Sequence, residues 1–299
     1  MNNQYDTLVK RATSFAVLSA IVLFSSKITA WWFTGSVSML ASVFDSGIDI
    51  FTSVTNLVLI RYALKPADND HAFGHGKAEP LSALIQSAFI LGAVILLIIH
   101  SIDGIKEPKV LEMPALAIIV TIFSIVSTGF LLSYQTYVVN KTNSSAIKTD
   151  MLHCRADFLL NVAVLVALGL TIFGLPYADP IFSLLISLYI LYSVVHIVYG
   201  AIQVLMDKAL SQEITDSIRQ IALSFPDVNG VHGIKTRQSG KTKFIQLHLE
   251  FDDDMRLIDS HTISDQVEAV LYAKYPNSDI IIHQDPISVV EKRCLVQNY

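Results

Sequence analysis

Two cysteines in 299 residues, Cys154 and Cys294, can build neither a disulfide framework nor a C-x-x-C metal knuckle. Charge is scarce as well. Asp, Glu, Lys and Arg make up 16% of the chain, the net charge is −5 and there is no basic block, so nothing invites nucleic acid. The sequence has no G-x-x-x-x-G-K-[ST] loop to cradle nucleotide phosphates and no H-E-x-x-H helix to set a catalytic zinc beside a base. ATPase and metalloenzyme chemistry are therefore not expected. What abounds is hydrocarbon: 52% of residues are hydrophobic and the mean hydropathy is +0.51, too oily for two soluble domains.

A helix crosses the hydrocarbon layer with about 20 mostly apolar residues. Six stretches qualify, at 13–33, 36–61, 81–103, 114–138, 146–173 and 179–203. The first lacks a small-residue cleavage site and is followed at once by another, so it reads as a span and not as a removable signal. Lys10, Arg11, Arg61, Lys65, Lys77, Lys141, Lys148 and Lys208 fall on one side of these spans, and Lys106 and Lys109 on the other. The positive side is expected to be cytoplasmic, with both termini. Beyond about Leu205 the charge density rises and the apolar residues form short helical or alternating patterns. The expected division is a six-helix membrane domain over 1–208 and a cytoplasmic domain over 209–299. In the latter, helices at 211–225 and 257–275 and strands at 231–238, 243–251 and 279–283 predict an αββαβ order, an α+β sandwich.

An ionised side chain at mid-bilayer costs on the order of 3 kcal/mol even on the lenient insertion scale. The second span nevertheless holds Asp45 and Asp49, and the fifth holds His153 and Asp157. Each pair is spaced i, i+4 and so shares one helix face, which lets two adjacent helices offer four ligands to one point. Three carboxylates and one imidazole suit tetrahedral Zn²⁺, with Cd²⁺ or Fe²⁺ as further candidates, and the lack of thiolates argues against copper(I). Bracing against Lys27 or Arg155 would explain a single buried Asp better than two matched pairs. Cys154 is turned about 100° from His153 and is read as incidental, and Asn161 as a packing residue.

Two further groups draw attention. The loop after the second span carries Asp68, His71 and His75 in DNDHAFGHGKAE. Such a cluster can wrap one metal, with Asp70 as an alternative carboxylate, or can be a solvated polar loop. The soluble segment holds His232, His248, His261 and His283, with Asp285 just beyond the last. Neutral imidazoles with a bridging Asp285 would make a binuclear site; scattered surface histidines are the plainer reading. His100 and His196 are read as packing or interfacial residues, and Gln284 as a neighbour of uncertain role.

The segments AWWFTGSVSMLASVFDSGIDI, KPADNDHAFGHGKAE, DMLHCRADFLLN, FIQLHLE and DIIIHQDP, which span nearly the whole chain, resemble the cation diffusion facilitator family in its bacterial zinc and ferrous-iron efflux branch of the YiiP type. The resemblance implies six transmembrane helices, a metallochaperone-like αββαβ cytoplasmic domain, a homodimer and exchange of metal for protons. It puts the transport site on Asp45, Asp49, His153 and Asp157, a second site on Asp68, His71 and His75, and a dimer-interface cluster on His232, His248, His261, His283 and Asp285. Lys77 and Asp207 match charges that link helices across such dimers. The expected function is a proton-coupled antiporter exporting Zn²⁺, Cd²⁺ or Fe²⁺ by alternating access across the bacterial inner membrane. A metal-gated channel, a membrane metalloenzyme and a membrane-anchored sensor are the competing readings.

Overall fold

The computed structural model describes residues 2–34, 37–106, 115–172 and 177–290, in two compact units that divide between Ile202 and Gln203. Cys294 and Lys109, with the span ends expected at Ser36, Pro114 and Phe173, lie outside the described residues. The first unit holds six long helices: α1 (Asn2–Thr34), α2 (Val37–Ala63), α3 (Ala78–Lys106), α4 (Ala115–Thr142), α5 (Ser145–Ile172) and α6 (Ala178–Leu205). Among the described residues, four stretches are long and apolar enough to cross a membrane, in α1, α3, α4 and α6. Helices α2 and α5 match them in length and carry the intramembrane ionisable residues.

Apolar side chains face outward all round this unit, among them Leu96, Phe130 and Tyr192, as a lipid-facing surface requires. Inside, small residues let helices approach: Ala12, Ala16 and Ala20 line one buried face of α1. Hydroxyls that would be costly in hydrocarbon donate to carbonyls one turn back, as Ser124 does to Val120 and Ser187 to Ser183. Helix α1 packs on α2 and α4, α4 on α5, and α3 on α2 and α5. Side chains of α6 (Ile190, Val194 and Ile197) join Ile90 and Val94 of α3 and Leu152 and Ala156 of α5 in one cluster. The buried carboxylate of Glu79 accepts hydrogen bonds from the Tyr5 hydroxyl and from the Ser145 amide, both at 2.8 Å. It ties α1 and α3 to the first turn of α5, where an anion meets unpaired amides and the positive end of the helix dipole. Helix α1 starts eleven residues before the expected span because its polar first turns remain helical outside the apolar run.

The second unit contains α7 (Gln212–Leu223), β1 (Gly230–Ser239), β2 (Thr242–Phe251), α8 (Leu257–Lys274) and β3 (Ser278–Pro286), the expected αββαβ order. The sheet runs β1-β2-β3, with β1 antiparallel and β2 parallel to its neighbour; α8 is the crossover a parallel pair needs. Period-2 alternation divides β2: Ile245, Leu247, Leu249 and Phe251 are buried against Ile218, Ala222, Val267 and Leu271 of the two helices, while Gln246, His248 and Glu250 face the other way. Strand β3 extends past His283 through Pro286. Gln284 and Asp285 are poor strand formers and end the apolar pattern, but their pairing with Leu249 and Glu250 keeps the strand going.

Candidate metal centres

In the membrane unit, His153 Nε2 lies 2.9 Å from Asp49 Oδ1 and 3.6 Å from Asp157 Oδ2, so two positions one turn apart on α5 and one position of α2 converge. All three are only partly exposed. Asp45, one turn before Asp49, lines the same 940 Å³ cavity as Asp49 and His153 but is not in this close group. Lys27 donates to Ser46, and Arg155 donates to Tyr189. The carboxylates thus converge on an imidazole, a donor set that fits a borderline divalent cation. Asn161 donates to the Asp157 backbone carbonyl, a packing role, and Cys154 is buried. His100 lines the cavity too, and both His100 and His196 are exposed. Asp150, not singled out from the sequence, stands one turn before His153 and is buried in the same cavity wall. Its i, i+3 relation to His153 was the available signal.

In the loop, Asp68 Oδ1 accepts the amides of Asp70 and His71 at 3.1 and 2.7 Å, which folds the segment into a turn. Asp68 oxygens then stand 3.4 Å from His71 Nδ1 and 3.3 Å from His75 Nε2. His75 is buried under the Tyr62 ring, and its Nδ1 lies 3.2 Å from the Pro66 carbonyl. A carbonyl only accepts, so Nδ1 carries the proton and Nε2 is left as the ligand atom. The His71 amide bond, with the two imidazoles nearby, holds the Asp68 carboxyl below the usual range. Asp70 does not join the cluster.

In the soluble unit, register does the assembling. His232 faces His248 across β1 and β2, and His248 faces His283 across β2 and β3, which stacks three imidazoles with centroids 4.9 and 4.8 Å apart. Asp285, two residues after His283 on the same face, is buried beneath them. Its Oδ2 lies 2.7 Å from His248 Nδ1 and 3.4 Å from His232 Nε2, and its Oδ1 lies 3.4 Å from His283 Nε2. The carboxylate thus spans two groups of imidazoles, as a ligand bridging two ions would. His232 Nδ1 contacts Glu250 Oε1 at 2.7 Å, a partner that the i, i+2 spacing from His248 could have revealed. His261 is not brought in. It is exposed on α8, on the helix-covered side of the sheet, 3.7 Å from Asp265. Gln284 bonds Ser260 and Ser264 of α8, and Asp207 pairs with Arg237.

A β-bulge between His232 and Lys235 sets the first imidazole, and Gly233 in it has φ +60°. A Cβ there would lie 2.8 Å from His248 Cδ2. Gly233→Ala is expected to displace the His248 ring and weaken zinc binding by the soluble unit about tenfold, readable by calorimetric titration.

Burial by itself would raise the Asp285 carboxyl, but the His248 hydrogen bond and the charges of His283, His248 and His232 outweigh it and hold the group below the usual range. With its folded value depressed, this carboxylate contributes stability that is complete above the unfolded value of about 3.9 and is lost as pH falls through the folded one. Metal-free protein is expected to show this loss only below about pH 4, and Asp285→Asn to remove it, in acid unfolding followed by circular dichroism.

Two carboxylates and an imidazole that could hold a cation, set on long helices of an apolar bundle, are an arrangement that fits a membrane transporter of metal cations. The cation efflux transmembrane domain model matches residues 14–206, and the cation efflux cytoplasmic domain model matches residues 210–287. The chain belongs to the cation efflux, or cation diffusion facilitator, family. It is 48% identical over 292 residues to the cation-efflux pump FieF of Citrobacter koseri and 47% identical to that of Escherichia coli O1:K1 / APEC, covering 98% of this chain and 97% of each relative. The metal-bound C-terminal domain of the CzcD transporter from Thermotoga maritima is 23% identical, with 26% of this chain and 95% of that one covered at a TM-score of 0.25. The protein is thus a cation efflux pump that exports metal cations, built as a multi-pass membrane domain with a cytoplasmic domain.

Proposed function

We propose that the chain is a homodimeric, proton-coupled antiporter that exports Zn²⁺ across the bacterial inner membrane, with Cd²⁺ and Fe²⁺ as further cargo and both termini in the cytoplasm. The carrying observation is the convergence of Asp49, His153 and Asp157 on one point, beside a cavity that Asp45, Asp49 and His153 line. Asp45 joins them as the fourth ligand when the cation draws α2 and α5 together. Moving a dication out against an interior-negative potential costs about 4.6 kcal/mol per 100 mV, twice the 2.3 of a single charge. No nucleotide site supplies that work, and a cluster of carboxylates and an imidazole can carry protons in place of metal. Facing inward, the site gives up protons and takes the cation; facing outward, protons displace it, and rocking of the helices alternates the two openings.

The loop residues Asp68, His71 and His75 would hold a second cation. His232, His248, His283 and Asp285 would hold resident zinc in the soluble unit, where metal joins the domains of the dimer and biases transport toward conditions of metal excess; His261, apart from them within one protomer, would join only through the dimer. The test is an imposed pH gradient across proteoliposomes. It should drive zinc inward against its own gradient, whereas a metal-gated channel would pass zinc only downhill.

A further inference from the structure

We propose that the Asp150 carboxylate and the Gln86 side-chain carbonyl form an oxygen-lined staging site for a divalent cation, on the inner flank of the Asp49, His153 and Asp157 cluster. This rests on the reading of that cluster as the transport site. Both residues line the cavity the cluster opens into, and both are buried, at 3% and 5% exposure. Gln86 Oε1 has no hydrogen-bond partner. A buried acceptor without a donor is unfavourable unless water or a cation meets it. Asp150 accepts one bond, from Gln135 Nε2 at 2.6 Å, and Gln135 itself stands outside the cavity lining. The buried part of the wall thus offers a carboxylate and an unmet carbonyl oxygen, a pair that suits a partly hydrated cation.

Position in the fold gives the site its place in transport. Asp150 precedes His153 by one turn on α5, and Thr52, also in the wall, follows Asp49 by one turn on α2. The C-terminus of α2 and the N-termini of α3 and α5 share one end of the unit, since residues 64–77 join α2 to α3 and a two-residue turn joins α4 to α5. In the proposed topology that end is cytoplasmic, so an incoming cation meets Gln86 and Asp150 before the cluster. Oxygen ligands suit Zn²⁺ less well than imidazole does, so a site built of them would hold the cation more weakly than the cluster and pass it on. The competing explanation is that Asp150 only braces α4 against α5 through Gln135.

Zinc uptake by proteoliposomes of the full chain, followed across zinc concentrations, separates the two. Asp150→Asn is expected to raise the KM for zinc about tenfold at unchanged kcat, because a charge that focuses cations in a cleft changes their capture. Gln86→Leu should act in the same direction, Asp150→Glu should restore capture, and Gln135→Leu should transport like wild type. Wild-type KM in Asp150→Asn, or an equal rise in Gln135→Leu, overturns the proposal. If Asp150→Asn does not fold, Gln86→Leu decides alone, and wild-type KM there overturns it. Asp49→Ala is the separate control: wild-type uptake in that variant would sink the cluster reading, whereas a dead Asp49→Ala beside a normal Asp150→Asn would sink only the staging site.

Discussion

Asp49→Ala is expected to lower zinc transport by about 100-fold or more, since loss of a direct ligand exceeds the 10- to 100-fold that outer partners contribute. Asp49 Oδ1 is the group nearest His153 Nε2, so removing it breaks the contact between α2 and α5 at the point where the cation must sit. His153→Ala and Asp157→Ala should follow, because each helix supplies only part of the ligand set. Asp45→Ala, one turn away on the same cavity wall, should weaken transport in the same direction. Purified variants must keep the wild-type elution volume and helix content for the loss to be read as chemistry. Initial rates of zinc entry into proteoliposomes measure it, and near-normal rates in Asp49→Ala would contradict the assignment.

The second large effect concerns the soluble unit. A ligand that binds only the folded state stabilises it by about 4 kcal/mol at a thousandfold excess over its Kd. Zinc should therefore slow amide exchange across β2 and β3, where His248, His283 and Asp285 meet. Magnesium should not, because it dehydrates reluctantly and prefers oxygen ligands to imidazoles. Asp285→Ala should abolish most of the protection by removing the carboxylate that both groups of imidazoles share. Exchange mass spectrometry on the full chain localises the effect to these strands. Equal protection with and without zinc would show that the imidazole row holds no metal.

The clustering of Asp49, His153 and Asp157 was readable because lipid penalises charge: the three stand out against their apolar neighbours, and helical spacing puts His153 and Asp157 on one face. The loop cluster was readable for a different reason, its compactness along the chain. In the soluble unit the elements and their order were legible from the alternation of β2, but the composition of the cluster was not. Chain proximity does not say which residues register brings together within one protomer: His232, His248 and His283 align across the strands, while His261 stands on α8 beside Asp265. Glu250 escaped notice because an acidic residue on an exposed strand face is ordinary until register brings it to His232. Gln86 was passed over because its signal is an unmet hydrogen bond, which exists only once helices are packed, whereas Asp150 offered a sequence signal in its i, i+3 relation to His153.

The account's central claim is that one set of side chains carries zinc outward and protons inward by turns. Recording zinc entry and internal pH together in the same proteoliposomes, with zinc as the only gradient at the start, tests it most directly. Protons should leave as zinc enters, with the two traces sharing one time course, and Asp157→Asn should lose both together. Zinc entry with no proton movement in the wild-type protein would contradict it.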